Sequence, residues 1–306
     1  MKPERPLTGL VAAVHTPFHA DGSLRLDVVE AQAGHLRSSG ISLAFVGGTT
    51  GEGPSLSLEE RRALARRWAH VARGTGLGVV IHVGSNCLTD ARALAAQAEE
   101  LGALAVSAFA PSYFKPSDLD ALVACCADVA SAAPRTPFYF YDIPALTGVS
   151  LSTPDFLEQA GSRIPTLAGL KFTSPDLLAY QLCLRAGNGA FDVPWGNDET
   201  LLAALALGAR GAVGSTYNFA APLYRRMLRA FAAGDLAAAR DEQLRSVEIV
   251  RVLSGYGYMG AAKAVMAMLG VDVGPPRLPN PALSAAQAGE LRGRLEALGF
   301  FDWIRP

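Results

Sequence analysis

The sequence predicts an α/β protein folded as a single (β/α)8 TIM barrel with a C-terminal helical extension. Short apolar runs alternate with amphipathic helical segments, and eight such runs fall within about 230 residues, the usual size of one barrel. Neighbouring parallel strands require crossover helices, which this alternation supplies. No GxGxxG motif follows the first run, and its absence disfavours a dinucleotide-binding sheet.

The eight predicted strands are short, apolar and rich in β-branched and aromatic residues. Their hydrophobicity is nearly continuous, as expected for strands that are buried on both faces. In chain order they are Leu10–Thr16, Leu43–Gly47, Val79–Val83, Ala105–Ala110, Pro137–Asp142, Leu167–Thr173, Phe191–Trp195 and Ala212–Ser215.

Segments with helical periodicity lie between these strands. They are Leu58–Ala72, Thr89–Leu101, Leu119–Ala132, Asp176–Leu184 and Thr200–Leu207. Three helix starts carry local signals: a capping box over Ser57–Glu60, and a proline at the first helical position in Thr153-Pro154 and in Ser174-Pro175.

The pattern changes after Ala233, where helical segments follow one another without strands between them. These segments are Leu236–Leu253, Ala261–Leu269 and Ala285–Leu298. We therefore expect a catalytic barrel over residues 1–233 and a helical extension over residues 234–306.

Composition excludes several classes of function. The chain has 306 residues with 27 basic and 28 acidic side chains and no basic stripe, so nucleic acid is not an expected partner. No apolar run is long enough to predict a signal peptide or a membrane span. The cysteines lack a CxxC spacing, which predicts reduced thiols in the cytoplasm; they are Cys87, Cys125, Cys126 and Cys183.

Two common kinds of catalytic site are also disfavoured. His15 and His19 are four residues apart, but Pro17 interrupts any helix that would bring them onto one face, so no metal site is predicted. The chain has neither a GxSxG motif nor a Ser-His-Asp order. Chemistry is therefore expected from other side chains.

Barrel enzymes place their reactive groups at the C-terminal ends of the strands. Lys171 lies near the C-terminal end of the sixth predicted strand, within the apolar run Leu167–Phe172. Burying an ammonium ion is costly, so a lysine held there would favour the neutral amine, which can attack a carbonyl carbon. The alternative is a lysine whose ammonium group reaches solvent from the strand end.

Other polar residues at strand ends give a short list of candidates. They are Thr49 and Thr50 after the second strand, Tyr141 on the fifth, Thr173 on the sixth, Gly196, Asp198 and Glu199 after the seventh, and Ser215 on the eighth. A phenol beside an imine can shuttle protons, although Tyr141 could equally pack within its aromatic strand. Asp198 and Glu199 could bind a hydroxylated substrate or cap a helix.

The turn Gly47–Gly53 is rich in glycine and resembles a phosphate-binding loop in its spacing. Pro54 occupies the position of the lysine that such a loop requires, so a nucleotide is not expected. Exposed N–H groups and two threonine hydroxyls remain, and these suit a small carboxylate. The alternative is a tight turn without a ligand.

These motifs together resemble the dihydrodipicolinate synthase / N-acetylneuraminate lyase family of pyruvate-dependent barrels. The resemblance rests on Gly9–Phe18, Gly47–Glu52, Tyr141–Gly148 and Gly169–Thr173, and it extends over nearly the whole chain. Within the family, Gly211–Asn218 and Val273–Pro279 are similar to the sialic acid lyases, especially the animal-type branch.

The resemblance implies Lys171 as the residue that forms a Schiff base and Tyr141 as proton donor and acceptor. It implies that Thr49 and Thr50 hold the pyruvate carboxylate, and that the polyhydroxy chain contacts the remaining candidates: Thr173, Gly196, Asp198, Glu199 and Ser215. The implied activity is reversible cleavage of N-acetylneuraminate to pyruvate and N-acetylmannosamine, with no cofactor. The implied assembly is a homotetramer in which Tyr113 reaches a neighbouring subunit's site.

Alternatives remain within the family and outside it. The synthases carry an arginine where this chain has Ala145, and alanine cannot bind a second substrate carboxylate. A related aldolase or dehydratase for another 2-oxo-3-deoxy acid is left open, because Asp142 and Asn197 depart from the lyase pattern. Outside the family, a catalytically inactive binding protein is opposed by Lys171 with its predicted neighbours. A pyridoxal phosphate enzyme would absorb visible light.

Overall fold

A sheet of seven parallel strands forms the centre of the computed structural model, which describes residues 7–305 and therefore leaves Lys2 outside the described part. The strands are β1 (Gly9–Ala13), β2 (Leu43–Val46), β3 (Gly78–His82), β4 (Ala105–Phe109), β5 (Phe138–Asp142), β6 (Leu167–Phe172) and β7 (Gly211–Gly214). Their order is β6-β5-β4-β3-β2-β1-β7, so β1 and β7 pair while β6 and β7 are the free edges.

The gap between β6 and β7 is filled by the segment predicted as the seventh strand, Phe191–Trp195. It is not a regular strand, which corrects that prediction. Trp195 forms parallel bridges to Phe172 on one side and to Ala212 on the other. Pro194 has no N–H to donate, so the ladder cannot run continuously through the segment. The result is a nearly closed barrel, and the predicted fold class is confirmed.

Helices surround the strands and continue beyond them. They are α1 (Val28–Ser38), α2 (Leu58–Ala72), α3 (Leu88–Glu100), α4 (Leu119–Ala130), α5 (Pro144–Thr147), α6 (Thr153–Arg163), α7 (Leu177–Cys183), α8 (Ala186–Gly189), α9 (Leu201–Leu207), α10 (Tyr217–Ala232), α11 (Leu236–Ser254), α12 (Tyr258–Met268), α13 (Ala285–Leu298) and α14 (Phe300–Trp303). The periodicity does not predict α1 or α10, and Pro222 inside α10 explains part of that failure.

The predicted helix starts have different outcomes. The capping box is present, because the Ser57 hydroxyl accepts from the Glu60 N–H and the Glu60 carboxylate accepts from the Ser57 N–H. Pro154 is the second helical residue rather than the first. Pro175 lies outside α7, because Asp176 caps that helix by accepting from two backbone N–H groups.

Two hydrophobic clusters build the barrel. One lies inside it and includes Val11, Phe45, Tyr139 and Tyr141, while a larger one joins the outer strand faces to the helices. The helices after α10 pack against that outer layer and belong to the same cluster. Across residues 7–305, no helix combines the length and apolar character needed to cross a membrane.

Candidate functional site

A cavity of about 410 Å³ opens at the C-terminal ends of the strands. All nine predicted site residues line it: Thr49, Thr50, Tyr141, Lys171, Thr173, Gly196, Asp198, Glu199 and Ser215. A cavity of this volume suits a small-molecule ligand. The position agrees with the rule that barrels keep their reactive groups at this end.

Lys171 is the penultimate residue of β6; its side chain lines the cavity and is only 5% exposed. Its Nζ atom lies 3.9 Å from the ring centroid of Tyr141 and 4.7 Å from that of Phe45. Within residues 7–305, no carboxylate pairs with this amine and no hydrogen-bond acceptor contacts it. The amine therefore faces aromatic rings and the open cavity, where a carbonyl carbon could reach it.

Tyr141 is beside Lys171 because the register of β5 and β6 pairs these two residues directly. The ring of Tyr141 is buried, and its hydroxyl lies 3.3 Å from Oγ1 of Thr49. A hydroxyl in this position can exchange a proton with a substrate bound to the lysine. Strand register cannot be deduced from one sequence, so the predicted pair could not be placed together in advance.

The turn that carries Thr49 and Thr50 is compact. The Glu52 N–H donates to Thr49 O at 2.9 Å, and the Gly53 N–H donates to Gly48 O at 3.1 Å. A side chain at position 53 would collide with the backbone of Gly47, so glycine is required there. The segment is a tight turn, and it presents both threonines to the cavity.

One carboxylate oxygen of Asp198 accepts hydrogen bonds from the protein itself. Oδ2 accepts from the N–H and from the hydroxyl of Thr216, at 3.0 and 2.6 Å, next to the start of α10. Oδ1 has no partner among the described residues. Burial raises the pKa of this carboxyl group, and the contacts with Thr216 oppose the shift. Asp198 thus anchors a helix start, and its second oxygen is buried without a hydrogen-bond partner among the described residues.

Glu199 and Thr173 have fewer internal contacts. Burial and the nearby Asp198 raise the pKa of the Glu199 carboxyl group. Oγ1 of Thr173 is buried and unpartnered within residues 7–305. Gly196 packs so closely against Thr173 that a side chain at 196 would collide with it. These groups form a polar wall that can accept and donate hydrogen bonds to a hydroxylated ligand.

The helices after the barrel supply a wall that the strand-end rule does not predict. Val250 and Ser254 of α11 line the cavity, as do Tyr258 and Met259 of α12. The Tyr258 hydroxyl lies 2.5 Å from Oγ of Ser215 and so joins the extension to the barrel. No local motif marks these residues in the sequence.

His82 lies beneath the cavity and is also absent from the sequence prediction. Its ring centroid is 5.6 Å from that of Tyr141, and burial keeps its pKa well below the usual value. A neutral imidazole therefore packs beneath the ring of Tyr141. Among residues 7–305, no group of three or more His, Cys, Asp or Glu side chains could hold a metal ion.

Comparisons with known proteins agree with these features. Residues 6–298 match the model of the dihydrodipicolinate synthetase family. The N-acetylneuraminate lyase of Gallus gallus is 41% identical over 306 residues, which cover 99% of each chain. The structure of Proteus mirabilis N-acetylneuraminate lyase has a TM-score of 0.94 at 43% identity and covers 97% of this chain and all of its own. DHDPS from Cyanidioschyzon merolae has a TM-score of 0.88 at 29% identity, over 96% of this chain and 98% of its own.

Proposed function

We propose, from the premise that the chain belongs to the dihydrodipicolinate synthetase family, that it is a class I aldolase cleaving N-acetylneuraminate reversibly to pyruvate and N-acetylmannosamine. One observation supports the proposal more strongly than the rest. Lys171 is buried without an internal partner and lies against Tyr141 at the cavity, an arrangement that suits a nucleophilic amine beside a proton carrier.

The proposed reaction proceeds through a covalent imine. The neutral amine of Lys171 attacks the C2 ketone of the open-chain sugar acid, and loss of water gives an iminium ion. The Tyr141 hydroxyl passes its own proton to the substrate carboxylate as it takes the proton of the C4 hydroxyl, and the C3–C4 bond breaks to leave an aldehyde at C4. The electron pair of that bond flows into the iminium and forms an enamine. Protonation at C3 and hydrolysis then release pyruvate and restore the amine.

The substrate would divide between two ends of the cavity. Thr49 and Thr50 would bind the carboxylate of the pyruvate half through the turn. Thr173, Gly196, Asp198, Glu199 and Ser215 would contact the polyhydroxy chain. Asp198 and Thr173 line this end of the cavity, and each has a buried side-chain oxygen without an internal hydrogen bond among the described residues, which supports this division.

A synthase activity toward an amino-aldehyde acid is disfavoured by Ala145, which follows the first residue of α5 and offers no charge to a second carboxylate. The remaining alternative is an aldolase or dehydratase that acts on a different 2-oxo-3-deoxy acid. Pyruvate release should be measured with N-acetylneuraminate and with 2-oxo-3-deoxygluconate, using Lys171→Arg as the blank. Faster release from 2-oxo-3-deoxygluconate would overturn the sialic acid assignment and leave the imine chemistry intact.

We further propose that the protein is a cytoplasmic homotetramer. Two apolar patches on the described surface support the assembly: Tyr113 and Phe114 are 78% and 86% exposed, and Leu178 and Leu182 on α7 are 69% and 52% exposed. Two separate self-complementary patches can build a closed tetramer. Light scattering should show that the parent is a tetramer. The variants Leu178→Glu and Tyr113→Ser should each dissociate into smaller assemblies at the altered patch. A monomeric parent would contradict the assembly.

A further inference from the structure

Glu52 has an unusual backbone conformation at the end of the threonine-bearing turn. Its φ is 52°, in the left-handed region where residues with side chains are uncommon. Such a conformation persists only where the surroundings hold it, and it is often found next to functional sites. The contacts of the Glu52 side chain therefore bear on the geometry of Thr49 and Thr50.

Both carboxylate oxygens of Glu52 are held by residues from the far end of the chain. Nζ of Lys263, on α12, lies 2.8 Å from Oε1, and the backbone N–H of Arg277 donates to Oε2 at 2.7 Å. The side chains of Glu52 and Lys263 are each 1% exposed. A buried pair of this kind adds little net stability compared with apolar side chains, so its presence calls for a role in geometry.

Lys263 also holds the turn from its other side. Its Nζ donates to Thr16 O at 2.8 Å and to Pro275 O at 3.1 Å. The hydroxyl of Thr16 in turn donates to Gly51 O at 2.5 Å, one residue before Glu52. The ammonium group thus connects the turn, the segment after β1 and the chain after α12.

We infer that Glu52 and Lys263 are positioning residues for the carboxylate of the 2-oxo acid. Neither residue lines the cavity. They act through the turn, whose left-handed end they hold so that Thr49 and Thr50 keep their places at the substrate. The inference rests on the proposed function, because it assumes that the turn binds the carboxylate. The competing account is that the pair only fastens α12 to the barrel.

Glu52→Gln tests the inference with little change in shape. A carboxylate accepts at both oxygens, but an amide accepts at its oxygen and donates at its nitrogen. At one of the two contacts the amide N–H would therefore face another hydrogen-bond donor. The matched control is Glu60→Gln, because Glu60 binds the Arg277 side chain and helps to hold the same C-terminal segment without touching Glu52.

The measurement is borohydride trapping of Lys171 at increasing concentrations of pyruvate or of hydroxyacetone, a ketone without a carboxylate. We expect Glu52→Gln to raise the half-saturating pyruvate concentration by about tenfold, the worth of one charge-assisted hydrogen bond. Trapping by hydroxyacetone should change less than about twofold, since the amine itself is untouched. Glu60→Gln should leave both ligands unchanged.

Lower melting temperature with unchanged pyruvate saturation would overturn the inference in favour of a purely structural pair. If Glu52→Gln does not fold, the double variant Glu52→Gln/Lys263→Met removes both charges together, and the same shift in pyruvate saturation is expected of it. An equal rise in the half-saturating concentrations of pyruvate and hydroxyacetone would also contradict the inference, because the effect would then lie at the amine of Lys171. Failure of the parent to be labelled at Lys171 would instead overturn the proposed function.

Discussion

Lys171 and Lys263 are both buried, at 5% and 2% exposure, yet their surroundings differ in almost every respect. Lys263 has a carboxylate at 2.8 Å and two backbone carbonyls that accept from it. Lys171 has two aromatic rings and an open cavity. Burial lowers the pKa of Lys263, and the nearby Glu52 opposes that shift.

The difference shows that burial alone does not make a lysine a nucleophile. An amine that donates to two carbonyls and pairs with a carboxylate has no open side from which a carbonyl carbon could approach. An amine that faces an open cavity can be reached by a carbonyl carbon. Both lysines lie in apolar sequence, and only the strand-end rule favours Lys171 before the structure is known.

The largest expected effect is on catalysis and tests the comparison directly. Borohydride and pyruvate should inactivate the parent and add a reduced pyruvyl mass at Lys171 alone. Lys171→Arg should show no labelling and no measurable turnover, because a guanidinium remains protonated and cannot attack. Peptide mass spectrometry locates the label. A label on Lys263 or Lys115, or turnover by Lys171→Arg, would break the comparison.

The next effect concerns the ring that faces Lys171. Tyr141→Phe should reduce turnover by roughly 10²–10⁴-fold, the usual contribution of a positioned acid–base group, and still allow slow imine formation. The ring keeps its packing, so the melting temperature should hardly move. Steady-state rates combined with trapping would measure both. Turnover within about twofold of the parent would make Tyr141 a packing residue only.

The two lysines should also differ in their effect on the free energy of unfolding, and here Lys263 should have the larger effect. Lys263→Met should lower the free energy of unfolding by about 3–5 kcal/mol, because it leaves the Glu52 carboxylate buried without its counter-ion. Lys171→Met should be neutral or stabilising, since it removes a buried amine that has no internal partner. Urea unfolding of the two variants beside the parent measures the difference. Equal destabilisation would show that Lys171 has a structural partner.

The comparison extends to Asp142, whose carboxyl group has no hydrogen-bond or ion-pair partner within residues 7–305. Burial raises its pKa to about 7, so the folded state holds a proton that the unfolded state releases near pH 4. Stability should therefore fall as pH rises from about 4 to 7 and then level off. Asp142→Asn should match the parent near pH 4 and exceed it by about 2–4 kcal/mol at pH 8. Thermal melts of the parent and of Asp142→Asn across this pH range test the prediction. Parallel curves of stability against pH for the two proteins would refute it.

The smallest expected effect is confined to the sugar end of the cavity. Glu199→Ala should lower kcat/KM for N-acetylneuraminate by at least about tenfold, the equivalent of one charge-assisted hydrogen bond. Trapping by pyruvate alone should stay unchanged, because pyruvate has no polyol chain. A lower melting temperature with both ligands affected alike would indicate that Glu199 stabilises the start of the adjoining helix instead.

The sequence predicts features that depend on neighbouring residues better than those that depend on distant ones. The bounds of α2 and α13 agree with the periodicity, and the capping box at Ser57 is local. The nine candidate residues lie on one cavity because a barrel brings all strand ends together. Glu52 and Lys263 could not be paired in advance, since helix α12 shows no signal of where it docks. Tyr258 was missed for the same reason.

The contact between Glu52 and Lys263 also has a consequence for synthesis of the chain. Ribosomes deliver the barrel strands before α12, and a domain generally folds as a unit once its parts have emerged. Until Lys263 and Arg277 have left the ribosome, both oxygens of the Glu52 carboxylate lack their partners. The threonine-bearing turn therefore cannot complete its contacts until α12 and the segment after it have been synthesised.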